Sequence, residues 1–188
     1  MTLSLPIPTE ANDLLQRNPL ALLIGMVLDQ QVPLEKAFSS PYVLEQRLGH
    51  ALDAHELATY DQDDLTELFS RTPALHRFPK AMAFRVQEVC RLLVERYDGD
   101  ASRVWTEAKD GKDLLKRVGG LPGFGKQKAQ IMVALLGKQY GVTPPGWRAA
   151  AGAYGEEGAH RSVADITDEG SLAEVRDYKK QMKAAANG

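Results

Sequence analysis

The sequence predicts an all-α fold: a compact array of about ten short helices. Three observations carry this. Apolar residues recur at spacings of three and four, as in Met82, Val86, Val89, Leu93 and Tyr97. Helix-start residues (Asn18-Pro19, Asp53, Asp61, Pro79) punctuate the chain at short intervals. No period-two alternation bounded by hairpin turns occurs. Taken in order, Thr9-Glu10 opens a helix over 9–17, and Asn18 caps the next, over 20–30, with Pro19 at its first position. Pro33 and Pro41 each start a further short helix. Asp53 caps 54–60 and Asp61 caps 62–69. Pro79 opens the longest helix, which Asp98-Gly99-Asp100 stops. Short helices follow over 101–108 and 111–118, then a glycine-rich turn at 119–125 and a helix over 126–139. A Gly/Ala/Pro-rich stretch over 141–161 is expected to be a loop, and a final amphipathic helix covers 168–185.

A length of 188 residues fits one domain, taken as 1–188, and supplies a core without staples. The longest apolar run, residues 20–28, is too short to span a bilayer, so no membrane partner is expected. No basic, apolar leader pattern opens the sequence. The single cysteine, Cys90, excludes an intramolecular disulfide and a four-cysteine cluster, and suggests the reducing cytoplasm. His50, His55, His76 and His160 lack metal-ligand spacing, so no metal is assigned.

The formal net charge of −2 hides a strong asymmetry. Residues 1–75 carry 4 basic and 11 acidic side chains. Residues 112–148 carry seven basic ones (Lys112, Lys116, Arg117, Lys126, Lys128, Lys138, Arg148) against the single acid Asp113. Such a segment can be a solvated helix face, or a local field that holds a polyanion.

The informative stretch is Leu114-Leu115-Lys116-Arg117-Val118-Gly119-Gly120-Leu121-Pro122-Gly123-Phe124-Gly125-Lys126-Gln127-Lys128-Ala129. It reads as helix, tight turn, helix over 111–139. Gly123 and Gly125 allow positive φ and close backbone approach. Phe124 and Leu121 can plug the turn, and Ala129 lets the helices meet. The N–H groups of Gly125, Lys126 and Gln127 then point out of a helix N-terminus, where a phosphate is favoured, with Lys126 and Lys128 adding charge.

This stretch resembles the helix-hairpin-helix of the base-excision DNA glycosylases, the endonuclease III-like superfamily. Residues 22–38, with the pair Gln30-Gln31, are similar to that family's early helix. Phe78-Pro79-Lys80-Ala81 resembles the start of its long helix. The resemblance covers roughly 20–140 and is to small bacterial members without an iron–sulfur cluster. It implies two helical lobes, double-stranded DNA as partner, a nucleoid-associated location, and extrusion of one nucleotide into a pocket. It also implies hydrolysis of the N-glycosidic bond of a damaged or mismatched base, or else a catalytically inactive lesion binder on the same scaffold. Gln31 stands where the family places a gap-filling wedge, although helix capping explains a Gln-Gln pair equally well. Bifunctional members use a lysine where this chain has Gln127, so no lyase activity is expected. No cofactor is expected, although a K⁺ held by backbone carbonyls of the hairpin is compatible with the family.

The chemistry needs a carboxylate to stabilise an oxocarbenium-like sugar. No Asp or Glu occurs from Leu114 through Gly155. Asp165, in Ser162-Val163-Ala164-Asp165-Ile166, has an apolar approach similar to the family's and is taken as the catalytic candidate. This requires 141–161 to be an insertion. A helix cap or surface role competes for Asp165, and Glu156 and Glu157 are weaker candidates. Trp147 and Arg148 are taken as pocket residues, with Tyr154 as a further aromatic face. Phe78 reads as core.

Overall fold

Asn18-Pro19 sets the first fixed point. The Asn18 Oδ1 accepts from the Leu20 and Ala21 N–H groups at 3.0 and 3.4 Å, which caps a helix whose first residue has no N–H to satisfy. The structure, a computed structural model, describes residues 2–187, and these hold eleven α-helices and no strand. The chain divides into two units.

The N-terminal unit comprises Ile7–Glu107 and Gly120–Phe124. Its helices are α1 (Thr9–Arg17), α2 (Pro19–Leu28), α3 (Leu34–Leu48), α4 (Ala54–Thr59), α5 (Gln62–Ser70), α6 (Pro79–Tyr97) and α7 (Arg103–Thr106). Every residue of α2 after Pro19 is buried, so α2 is a core helix rather than an amphipathic one. A Cβ on Gly25 would lie 2.6 Å from the Phe38 ring, which explains the glycine: α3 crosses α2 at that point. Helices α4 and α5 both pack on α6.

One expectation fails here. Pro41 does not start a helix; it lies inside α3 and is buried. Proline inside a helix removes one N–H and crowds the preceding turn. The Ser40 Oγ lies 2.7 Å from the Lys36 carbonyl and 2.8 Å from that of Leu75, so the hydroxyl tethers this turn and binds the neighbouring loop.

The C-terminal unit comprises the chain up to Pro6, Ala108–Gly119 and the chain from Gly125. It holds α8 (Gly111–Gly119), α9 (Lys126–Gln139), α10 (Trp147–Ala150) and α11 (Glu169–Asn187), with 3₁₀ turns at Gly152–Gly155 and Val163–Asp165. The stretch 141–161 is therefore partly helical rather than a plain loop. Its anchor is Trp147, whose ring would lie 2.3 Å from a Cβ on Gly137; α9 needs a glycine there to admit the indole. Gln139, at the end of α9, is 3% exposed. Its amide nitrogen faces the carbonyls of Val163, Ala164 and Ile166 at 3.2, 3.0 and 2.8 Å. The turn at 163–166 is thus sewn to α9 by a buried side chain with its polar groups satisfied.

Among the described residues no helix is long and apolar enough to cross a membrane. Cys90, on α6, is buried. Burial first, and the Asp53 charge second, push its thiol up to about 12, so almost no thiolate exists near neutrality. Native protein at pH 8 is expected to resist iodoacetamide and to be alkylated stoichiometrically in urea. Rapid alkylation of folded protein would contradict this placement.

Candidate nucleic-acid interface

The helix-hairpin-helix is α8, the turn 120–124 and α9. Gly119 and Ala129 face each other, with 3.9 Å between a Cβ built on Gly119 and that of Ala129, as small residues at a close crossing require. Leu121 and Phe124 are buried, and the Phe124 N–H donates to the Leu121 carbonyl at 3.1 Å. Gly123 has φ +82°, a conformation that favours glycine; the Arg85 guanidinium lies where a Cβ would stand, but as the end of a flexible side chain it can move aside, so conformation is what demands the glycine.

Gly125 differs from expectation. Its φ is −68°, and nothing lies within 4 Å of where a Cβ would be. The chain itself does not need a glycine here. What the glycine provides is bare backbone at the N-cap of α9. That helix has no capping side chain and no acid in its first turn. Lys126 and Gln127 are exposed and Lys128 is half-buried. Bare backbone, uncapped N–H groups and a lysine together favour an anion. The basic segment is smaller than its sequence count, however. Arg117 pairs with Asp113 at 3.1 Å and Lys138 with Asp165 at 2.6 Å, which leaves Lys112, Lys116 and Lys126 exposed on α8 and α9. No group of three or more His, Cys, Asp or Glu that could hold a metal occurs among the described residues. A K⁺ at the turn would rest on backbone carbonyls, of which that of Leu121 already accepts an N–H.

In the N-terminal unit, Gln30 and Gln31 take different roles. The Gln30 amide donates to the Val27 carbonyl at 2.9 Å, closing the end of α2. Gln31 is exposed at φ +57°, a left-handed conformation unusual for a non-glycine residue. The turn is held by His76, 1% exposed. Its Nε2 lies 2.8 Å from the Gln30 carbonyl, and its Nδ1 accepts the Phe78 N–H at 3.0 Å. That acceptor role puts the ring proton on Nε2. Phe78 is not core: it is 40% exposed. With Phe84 and Lys80 it lines an apolar groove of about 620 Å³, and Arg77 lies over its ring. Phe78 is the N-cap of α6, with φ −118° and ψ 74°, so its side chain does not take the helical direction that its four-residue spacing from Met82 would otherwise give it.

Trp147, Arg148 and Asp165, the pocket and catalytic candidates, all lie in the C-terminal unit. Trp147 is 9% exposed against Gly137. Arg148 stacks over it at 4.5 Å and donates to the Gly155 carbonyl at 2.7 Å, so the pair forms a core plug and its cover. The Asp165 side chain is 4% exposed. One oxygen meets Lys138 Nζ at 2.6 Å; the other accepts from the Arg161 N–H at 2.8 Å and the Ser162 N–H at 3.4 Å, forming a capping box with Ser162. One oxygen thus ties the turn to α9 and the other closes the 161–165 turn itself.

A cavity of about 320 Å³ does open beside α9. It is lined by Gln127 and Ile131 of α9, by Tyr154 and Arg161, and by Tyr178, Lys179 and Met182 of α11. Gln127 Nε2 donates to the Tyr154 hydroxyl at 2.8 Å, and Arg161 donates to the Tyr178 hydroxyl at 2.5 Å. Gln127 belongs to both features, with its N–H in the first turn of α9 and its amide in the cavity wall. Sequence reading had Gln127 and Tyr154. Arg161 and the Tyr178/Met182 pair carry no sequence signal beyond the one-turn spacing of the latter on α11, because their sharing of one cavity with α9 is long-range. No family model, curated protein or solved structure matches this chain.

Asp165→Asn is expected to strand the Lys138 charge and to lower stability by roughly 3 kcal/mol, read as a fall in urea midpoint. An unchanged midpoint would show that the pair does not hold the turn.

Proposed function

We propose that the chain is a DNA-binding protein of base-excision repair that receives one extruded nucleotide: its phosphate on the hairpin and its base in the α9–α11 cavity. The observation that carries this reading is the double placement of Gln127, which puts an anion-favouring helix end and an aromatic-walled cavity on one turn of one helix. A base inside a duplex cannot reach such a cavity, so extrusion is the physical requirement. In the N-terminal unit Gln31 is exposed, as a side chain that enters a base stack must be, and its gap-filling role is carried by the resemblance. The reaction this arrangement serves is hydrolysis of the N-glycosidic bond. Gln127 cannot form an imine, so the activity is monofunctional. A nucleoid-associated location follows from duplex binding.

A second reading, lesion binding without cleavage, is favoured by one observation. Asp165 has both oxygens committed to Lys138 and the 161–162 backbone.

Two tests follow. Duplex binding is expected to fall steeply between 50 and 200 mM salt. Gly125→Val is expected to lower the melting temperature by only a few degrees, because the site is open and only an N-cap preference of about 1 kcal/mol is lost, while weakening duplex affinity about tenfold or more by blocking backbone approach. Fluorescence anisotropy with thermal melting reads both; salt-independent binding, or full affinity in Gly125→Val, would overturn the hairpin assignment. For the chemistry, free base is expected from duplexes carrying a lesion panel, with no borohydride-trapped covalent complex. Binding without base release across the panel selects the second reading, and a trapped complex contradicts the monofunctional assignment.

A further inference from the structure

The polar groups of the α9–α11 cavity are biased toward donors. Arg161 and Lys179 carry donors only. The Tyr154 hydroxyl accepts from Gln127 and the Tyr178 hydroxyl accepts from Arg161, so each keeps its own proton to offer. The one side-chain acceptor in the wall besides those hydroxyls is the Gln127 amide oxygen. The donors are also fixed in place. The Arg161 N–H is held by Asp165 at 2.8 Å, and its guanidinium lies 5.1 Å from the Tyr178 ring centroid and 3.5 Å from Glu156. Ile131 and Met182 complete an apolar lining.

We infer that this cavity selects a base with a carbonyl edge, of the 6-oxopurine type, over its amino counterpart. This inference rests on the reading of the cavity as the base site. A lactam offers a carbonyl oxygen to Arg161 and a ring N–H to the Gln127 oxygen. An amino-substituted base turns N–H donors toward a cation that cannot accept them. The tyrosine faces supply stacking that is indifferent to base identity, so discrimination falls to Arg161. Hydrolytic deamination of an amino base makes such a carbonyl edge, and is therefore the class of reaction that would supply the substrate. The resulting mispair is also easier to extrude than a paired guanine, which carries the same edge.

The test is titration of the full chain with free hypoxanthine and free adenine, bases of matching shape that differ at this edge, followed by amide chemical shifts. Hypoxanthine is expected to bind about tenfold or more tightly than adenine. Arg161→Gln keeps the backbone N–H that Asp165 uses, and a thermal melt checks that it folds; it is expected to bring the ratio close to one. Equal binding in the unaltered chain, tighter adenine binding, or a preference that survives Arg161→Gln would overturn the inference. No binding of either base while duplex binding persists would also overturn it and leave the hairpin reading standing. Base discrimination without duplex binding would instead sustain the inference for the cavity and remove the DNA reading.

Discussion

The C-terminal unit depends on one buried contact, the 2.6 Å bond between Lys138 Nζ and the Asp165 carboxylate. Lys138 lies in the last turn of α9, and Asp165 closes the 3₁₀ turn that leads to α11. With one oxygen on Lys138, Asp165 uses the other to hold the Arg161 and Ser162 N–H groups. Gln139, the next residue of α9, fixes the carbonyls of the same turn. One end of α9 thus positions the segment that carries Arg161 and starts α11, and the cavity forms where that segment comes back alongside Gln127 and Ile131. A buried ion pair is costly to assemble and costly to break. Here its geometry is complete, and what it secures is the placement of a guanidinium rather than a large gain in stability.

Local signals made most of the fold legible. Asn18-Pro19, Asp53, Asp61 and Pro79 each mark a helix start within a residue or two of where one occurs, because capping is decided within one turn of chain. Pro41 misled for the same reason: the local rule says stop, and tertiary packing with the Ser40 hydroxyl overrides it. The 141–161 stretch misled because its glycines and prolines read as loop while Ala149 and Ala150 carry the short helix α10. Trp147 needs Gly137, and that pairing is invisible in sequence.

The candidate site was half legible. The hairpin is a contiguous motif, and the structure separates the roles of Gly123 and Gly125. Gly123 serves conformation, and Gly125 serves neither conformation nor space, leaving the helix end bare. Charge counting located the basic segment but overstated its field, because Arg117 and Lys138 are consumed by carboxylates near them in space. The cavity was not legible as a whole, since three separated stretches build it. Asp165 illustrates the limit in the other direction. A Val-Ala-Asp run resembles a catalytic signature, yet the same residues spell a capping box, and only coordinates tell which bonds the carboxylate makes.

The central claim is that one helix, α9, receives the phosphate at its N-terminus and the base along its side. The most direct measurement is a crystal structure of the chain bound to a duplex carrying a single deoxyinosine mispair. The account predicts a phosphate on the Lys126 and Gln127 N–H groups, with the extruded base between Tyr154, Tyr178 and Arg161. A duplex bound away from the turn, or a mispaired base still stacked while the cavity stands apart from the DNA, would contradict it.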